Sequence, residues 1–139
     1  MIYVMSDIHG DIQRYNSIMS KINLKAEDKL YVLGDVIDGM PYGIEILLDL
    51  VERKNVTVLL GNHELMMLNA IQNPHNSSLL HKWFKNEGVS TLKNFTNQSK
   101  TTQQSIIERI TQMPTSVDLA VGKKSFCWFM LHPLRYGPG

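Results

Sequence analysis

The chain has 139 residues, of which 43% are apolar and 19% charged, and its formal net charge is +1. This length and composition are typical of one globular domain, and the balanced charge excludes a strong electrostatic attraction to nucleic acid or to an anionic membrane. Residues 1–5 are too short for a signal peptide, and no apolar run approaches the roughly 20 residues of a membrane span.

Strands and helices alternate in the first 60 residues. Apolar runs predict strands over residues 2–5, 29–33 and 56–60, and helical periodicity predicts helices over residues 11–22 and 43–53. The order βαβαβ favours a parallel sheet with right-handed crossovers. Ligands of such sheets bind beyond the carboxyl ends of the strands.

The second part of the chain reads as helical and then as a hairpin. Helices are predicted over residues 64–72, 79–85 and 103–112, and the polar segment 94–102 reads as a loop. Strands over residues 116–121 and 125–131 form a predicted hairpin around Gly122. The single cysteine, Cys127, lies in its second strand and is expected to be a core thiol.

Three polar clusters each follow one of the first three strands. Asp7 and His9 follow the first, the segment Gly-Asp35-Val-Ile-Asp38-Gly the second, and Gly-Asn62-His63-Glu the third. Because these strand ends meet at one edge of a parallel sheet, their carboxylate, amide and imidazole groups are expected to converge.

The donor types in the clusters suit divalent metal ions. Asp35 can bridge two ions because a carboxylate has two oxygens, and mixed nitrogen and oxygen ligands favour Mn, Fe, Zn or Co over Ca. Two such ions roughly 3.5–4 Å apart are a common means of attacking phosphate esters. His63 is then the candidate general acid, and Asp38 the carboxylate that orients its imidazole.

Each cluster by itself has a simpler interpretation. Asp7 can cap the following helix, Gly-Asp-x-x-Asp is a common turn composition, and Asn62 can be a helix N-cap. The occurrence of all three clusters in order, each after a strand, favours the metal site.

The clusters resemble those of the calcineurin-like metallophosphoesterases, in particular the group of PPP-type serine/threonine phosphatases and diadenosine tetraphosphatases. The family pattern is Asp-x-His, Gly-Asp-x-x-Asp-Arg-Gly, Gly-Asn-His-Glu and two later histidines. Trp83, Asn86, Gly88 and Thr91 also resemble a stretch of bacterial members, and His132 resembles the first late histidine.

The resemblance implies a ligand set and a fold. Asp7, His9 and Asp35 would hold one metal ion, and Asp35, Asn62 and His132 the other. The family fold is an α/β four-layer αββα sandwich. We expect a single domain over residues 1–139 with a shortened carboxyl-terminal part and an incomplete second sheet.

Two departures from the family pattern affect the expected activity. Asp38 is followed by Gly39 and Met40, so the arginine that binds substrate phosphate in the family is missing, and Arg53 or Arg135 would have to replace it. The second late histidine is also missing. A shortened second sheet would expose the apolar strand 125–131, and such edges recruit other chains, so we expect a homodimer through the carboxyl-terminal region.

The sequence therefore predicts a phosphoesterase that depends on two divalent ions (Mn, Fe or Zn) and hydrolyses phosphomonoesters with a metal-activated hydroxide. A phosphorylated protein is the first candidate substrate and a dinucleoside polyphosphate the second. The alternative is a degenerate metal-binding fragment without turnover. No nucleic-acid polymer or membrane is expected as a partner, and the single cysteine favours a cytoplasmic setting.

Overall fold

The computed structural model describes residues 1–129, which form five strands and six helices. In chain order the elements are β1 (Ile2–Met5), α1 (Ile12–Ile22), β2 (Lys29–Val32), α2 (Gly43–Glu52), β3 (Val56–Val58), α3 (Asn62–Gln72), α4 (Ser77–Lys85), α5 (Val89–Thr96), α6 (Lys100–Thr111), β4 (Ser116–Val121) and β5 (Lys124–Phe129).

The first half of the chain forms a three-stranded parallel sheet in the order β1-β2-β3. Ile2 pairs with Lys29 and Leu30 pairs with Val56, and one helix lies between consecutive strands. The α/β class and the predicted βαβαβ order are confirmed. The segments that follow the three strands therefore meet at one edge of the sheet.

One apolar core joins the parallel sheet to the helices. Each large side chain buried there contributes about 1.5–3 kcal/mol relative to full exposure. The completely or almost completely buried members are Leu30 and Val32 of β2, Ile44, Leu47 and Leu50 of α2, Met67 of α3, Trp83 of α4, and Ile106 and Ile110 of α6.

β1 is less buried than its apolar sequence predicts. Ile2 and Val4 are each 41% exposed, whereas Tyr3 and Met5 pack against the core. Side chains alternate between the two faces of a strand, so one face of β1 is covered and the other is open within residues 1–129.

The prediction of a loop over residues 94–102 is wrong. Helix α5 extends to Thr96 and α6 begins at Lys100, so only three residues separate the two helices. The sequence does not predict α5, because the helix is mostly polar and only Thr91 and Phe95 of its eight residues are buried. Ser99 caps α6 by accepting a hydrogen bond from the Thr102 N–H at 3.2 Å.

The second sheet consists of the antiparallel pair β4 and β5 within the described residues. Val121 pairs with Lys124, which leaves a two-residue loop at Gly122 and Lys123. Cys127 is exposed rather than a core thiol. It lies opposite Asp118, and the hydrogen bond to this carboxylate raises the pKa of the thiol.

In the part of the chain that is described, no helix is both long and apolar enough to cross a bilayer. The single-domain organisation over residues 1–139 stays a prediction.

Candidate active site

Four of the predicted site residues have a left-handed backbone. The φ angles are 54° at Asp7, 47° at His9, 55° at Asp35 and 70° at Asp38. Residues other than glycine adopt this conformation at a cost of order 1–3 kcal/mol, and such strain is concentrated at functional sites. The turns after β1 and β2 thus carry these polar residues on a backbone conformation that local propensity disfavours.

Asp7, His9 and Asp35 come together at the edge of the sheet. Each offers one ligand atom, and these atoms all lie within 4.8 Å of one another. Asp35 is buried, His9 half-buried and Asp7 exposed. Two carboxylates and one imidazole are a donor set that fits a divalent ion such as Mn, Fe or Zn. The described residues therefore fit one of the two expected ions.

A hydrogen bond orients the imidazole of His9 for this role. His9 Nδ1 lies 3.1 Å from the carbonyl oxygen of Ile37, which can only accept a hydrogen bond, so the proton is on Nδ1 and Nε2 is left as a ligand atom. The His9 N–H donates to the Asp35 carbonyl at 3.1 Å. These contacts attach the first cluster to the second.

The second and third clusters touch through two glycines. A Cβ atom on Gly34 would lie 2.5 Å from Cα of Gly61, and only glycine at position 34 avoids this clash. This close approach allows the His63 N–H to donate to Asp35 Oδ1 at 3.1 Å. The backbone at the start of α3 is therefore fixed against the predicted bridging carboxylate.

His63 and Asp38 form a hydrogen-bonded pair. His63 Nδ1 lies 2.8 Å from Asp38 Oδ2, and Asp38 is completely buried. The hydrogen bond with Asp38 is the main cause that raises the pKa of His63, and desolvation opposes it. The pair leaves Nε2 of His63 available to exchange a proton with another molecule.

The rings of His9 and His63 meet edge to face. Their centroids are 4.7 Å apart and their planes are inclined by 79°. A predicted metal ligand and the predicted general acid are thus direct neighbours. A phosphate ester bound at the Asp7, His9 and Asp35 cluster would lie close to His63.

The ligand set expected for the second ion lies only partly within the described residues. Asn62 is exposed at the first position of α3, and His132 lies outside the described residues. The capping alternatives are wrong, because Gly61 is the N-cap of α3 and Asp11 is the N-cap of α1. Neither Asn62 nor Asp7 is therefore explained by capping.

Sequence reasoning missed three residues that support the site. Glu64 accepts hydrogen bonds from the N–H groups of Asp35 at 2.6 Å and Ile37 at 3.4 Å. Trp83 and Thr91 both contact Asp38. The signal was present for all three, since Glu64 completes the third cluster and Trp83 and Thr91 lie in the stretch that resembles bacterial family members.

The basic residues suggested as replacements for the missing arginine are placed elsewhere. The Arg53 guanidinium pairs with Asp49 at 3.2 Å, and Arg135 lies outside the described residues. Arg14 and Lys21 of α1 instead line an open cavity of about 520 Å³ together with Asp7.

The chain is similar to known phosphoesterases. The family model described as calcineurin-like phosphoesterase matches residues 1–126. A Caenorhabditis elegans protein named as a serine/threonine-protein phosphatase is 39% identical over 75 residues, which are 50% of this chain and 21% of that protein.

Two bacterial relatives bear a different name, symmetrical bis(5'-nucleosyl)-tetraphosphatase. The protein of Wigglesworthia glossinidia brevipalpis is 32% identical over 68 residues, 48% of this chain and 25% of its own length. That of Pseudomonas putida is 32% identical over 73 residues, 51% of this chain and 25% of its own length. The chain thus spans only about a quarter of the length of the relatives it matches.

Proposed function

The chain belongs to the calcineurin-like phosphoesterase family, and we propose that it is a metal-dependent phosphoesterase that hydrolyses phosphomonoesters. A phosphorylated serine or threonine of a protein is the first candidate substrate. The single observation that carries this proposal is the contact of the His9 and His63 rings at 4.7 Å, because it sets a proton donor beside the cluster of Asp7, His9 and Asp35.

The residues have separate tasks in this reaction. Asp7, His9 and Asp35 would hold one divalent ion, and Asp35, Asn62 and His132 a second. Ions of the Mn, Fe or Zn type would supply Lewis-acid activation. His63 would donate its Nε2 proton to the leaving oxygen of the ester. Asp38 would accept the hydrogen bond from the other ring nitrogen, Nδ1, and so hold the ring in place.

Dinucleoside polyphosphates are the second candidate substrates. The names of the two bacterial relatives support them. The cavity that Asp7 shares with Arg14 and Lys21 also supports them, because it adds two cationic side chains next to the site. A phosphoserine peptide and diadenosine tetraphosphate assayed in parallel distinguish the two classes.

Phosphatase assays with Mn²⁺ test the proposal. Wild type is compared with Asp35→Asn and His63→Gln on phenyl phosphate, and His81→Gln, which changes an exposed histidine of α4, is the control. We expect Asp35→Asn to abolish the Mn²⁺-dependent rate and His63→Gln to lower kcat by about 10²-fold or more. Wild-type activity no higher than that of both variants would favour the alternative of a metal-binding fragment without turnover.

The homodimer through the carboxyl-terminal region and the cytoplasmic setting stay predictions. Size-exclusion chromatography with light scattering tests the first. A clean monomer at high protein concentration would contradict it.

A further inference from the structure

The buried carboxylate of Asp38 accepts its side-chain hydrogen bonds on one oxygen. Oδ2 lies 2.8 Å from His63 Nδ1 and accepts a second hydrogen bond from the indole Nε1–H of Trp83 at 2.9 Å. Oδ1 is buried and has no hydrogen-bond partner within residues 1–129. The orientation of this carboxylate therefore depends on the two donors that meet at Oδ2.

The backbone at Asp38 is held by the same part of the chain as its side chain. The Asp38 N–H donates to Thr91 Oγ1 at 3.1 Å, and the following N–H, of Gly39, donates to the Glu87 carbonyl at 3.3 Å. The end of α4, the turn and α5 thus surround the turn that carries Asp38. These contacts join residues more than 40 positions apart in the sequence.

The indole of Trp83 is itself placed by its surroundings. Trp83 is completely buried, and a Cβ on Gly88 would lie 2.4 Å from Nε1. The Gly88 N–H donates to the Trp83 carbonyl at 3.1 Å. Glycine at position 88 therefore leaves the space in which the N–H can point at Asp38.

We propose that Trp83 is a positioning residue of the active site, whose N–H fixes the Asp38 carboxylate that orients His63. With His63 as the only donor, the carboxylate can rotate about its Cβ–Cγ bond and the imidazole can follow it. Two donors from different elements remove this freedom. The catalytic part of this inference rests on the proposed function.

The competing explanation is that the indole only fills the core and its N–H needs an acceptor. Buried tryptophans usually find such a partner. The two explanations differ in which substrates are affected by loss of the N–H. A packing defect slows every substrate similarly, whereas a misplaced His63 slows only substrates whose leaving group needs a proton.

The catalytic test uses two esters with different leaving groups. Phenyl phosphate needs protonation of its leaving oxygen and 2,4-dinitrophenyl phosphate does not. For Trp83→Phe we expect kcat on phenyl phosphate to fall about 10-fold or more and kcat on the dinitrophenyl ester to change less than about 3-fold, with KM unchanged. Equal losses on both esters would overturn the proposal.

One further variant separates the N–H from the ring, and a second is a packing control. Replacement of Trp83 by 3-benzothienylalanine keeps the bicyclic shape and removes the N–H, so it should reproduce the leaving-group effect of Trp83→Phe without its change in volume. Phe84→Leu changes the neighbouring aromatic of α4, whose ring centroid lies 6.1 Å from that of Trp83. This control should leave the ratio of the two rates unchanged.

A spectroscopic readout does not require turnover. The chain has two tryptophans, so Trp128→Phe identifies the indole proton of Trp83 in an NMR spectrum. We expect Asp38→Asn to shift this proton, and the benzothienyl variant to lose the protected Nδ1–H signal of His63. A His63 signal that is unchanged without the indole N–H would overturn the proposal even if the chain proved inactive, whereas inactivity with the expected signals would refute only the proposed function.

Discussion

The buried carboxyl group of Glu64 accepts a hydrogen bond from the N–H of Asp35 at 2.6 Å. A second contact, to the N–H of Ile37 at 3.4 Å, extends along the same turn. Glu64 is completely buried, and burial, followed by the charge of Asp35, raises its pKa to about 8 although the two backbone donors act in the opposite direction. A helix residue thus satisfies the backbone of the turn that carries the central carboxylate of the site.

Glu64→Ala should destabilise the fold and weaken metal binding. It leaves two backbone N–H groups without their acceptor and creates a cavity, so the free energy of unfolding should fall by at least about 2 kcal/mol. Urea unfolding measures this loss, and calorimetric titration with Mn²⁺ measures the affinity. Glu108→Ala, at an exposed position of α6, is the control, with an expected change within about 0.5 kcal/mol. Equal effects of the two variants would contradict this role of Glu64.

Tyr15 should make the folded protein less stable at alkaline pH. Its hydroxyl is buried and donates to Asp49, and burial, followed by this acceptor, raises the pKa of the phenol. The unfolded chain loses this proton near pH 10 and the folded chain keeps it. The stabilising effect is complete below about pH 10 and declines as the pH rises further.

Tyr15→Phe should therefore reduce the loss of stability above pH 10. Urea unfolding between pH 8 and 11 measures the slope, and the absorbance at 295 nm shows which tyrosines ionise in the folded state. Asp49→Asn, which keeps the buried phenol and removes the acceptor charge, should give an intermediate slope. A wild-type slope identical to that of Tyr15→Phe would rule out this effect.

Gly88→Ala should displace the indole of Trp83. The backbone at Gly88 is right-handed, with φ −78°, so the substitution acts through the clash with the indole of Trp83 and not through backbone strain. Overpacking of this kind costs about 1–3 kcal/mol. Thermal unfolding and tryptophan fluorescence measure the two effects, the fluorescence in a Trp128→Phe background so that Trp83 alone contributes.

The matched control for that substitution is Gly122→Ala. A Cβ at Gly122 meets nothing within 4 Å, although its φ of 61° adds backbone strain. This variant should lower stability without changing the Trp83 signal. A fluorescence change of the same size in both variants would contradict the clash at Gly88.

Ser99→Ala should lower stability by about 1 kcal/mol, because it removes the side-chain cap of α6. Chemical unfolding measures the difference. Ser105→Ala, at an exposed position inside the same helix, should be neutral or slightly stabilising because alanine is the better helix former. Equal behaviour of both variants would show that the cap contributes nothing.

The sequence allowed most of the fold and the composition of the candidate site to be predicted. The three clusters were recognisable because strand periodicity and ligand chemistry are local properties, and a parallel sheet necessarily brings its strand ends together. Helix α5 is not predicted, because its end lies in a polar segment that reads as a loop and the burial of Thr91 and Phe95 depends on distant partners.

Only the tertiary structure decided how the site is held in place. The left-handed backbone at Asp7, His9, Asp35 and Asp38 is disfavoured locally and persists because surrounding contacts determine it. The hydrogen bond from Trp83 to Asp38 spans 45 positions, and that from Asp35 to Glu64 spans 29. Composition and spacing determine which donors and acceptors a chain possesses, but the burial that orients and strengthens them arises only when distant segments pack together.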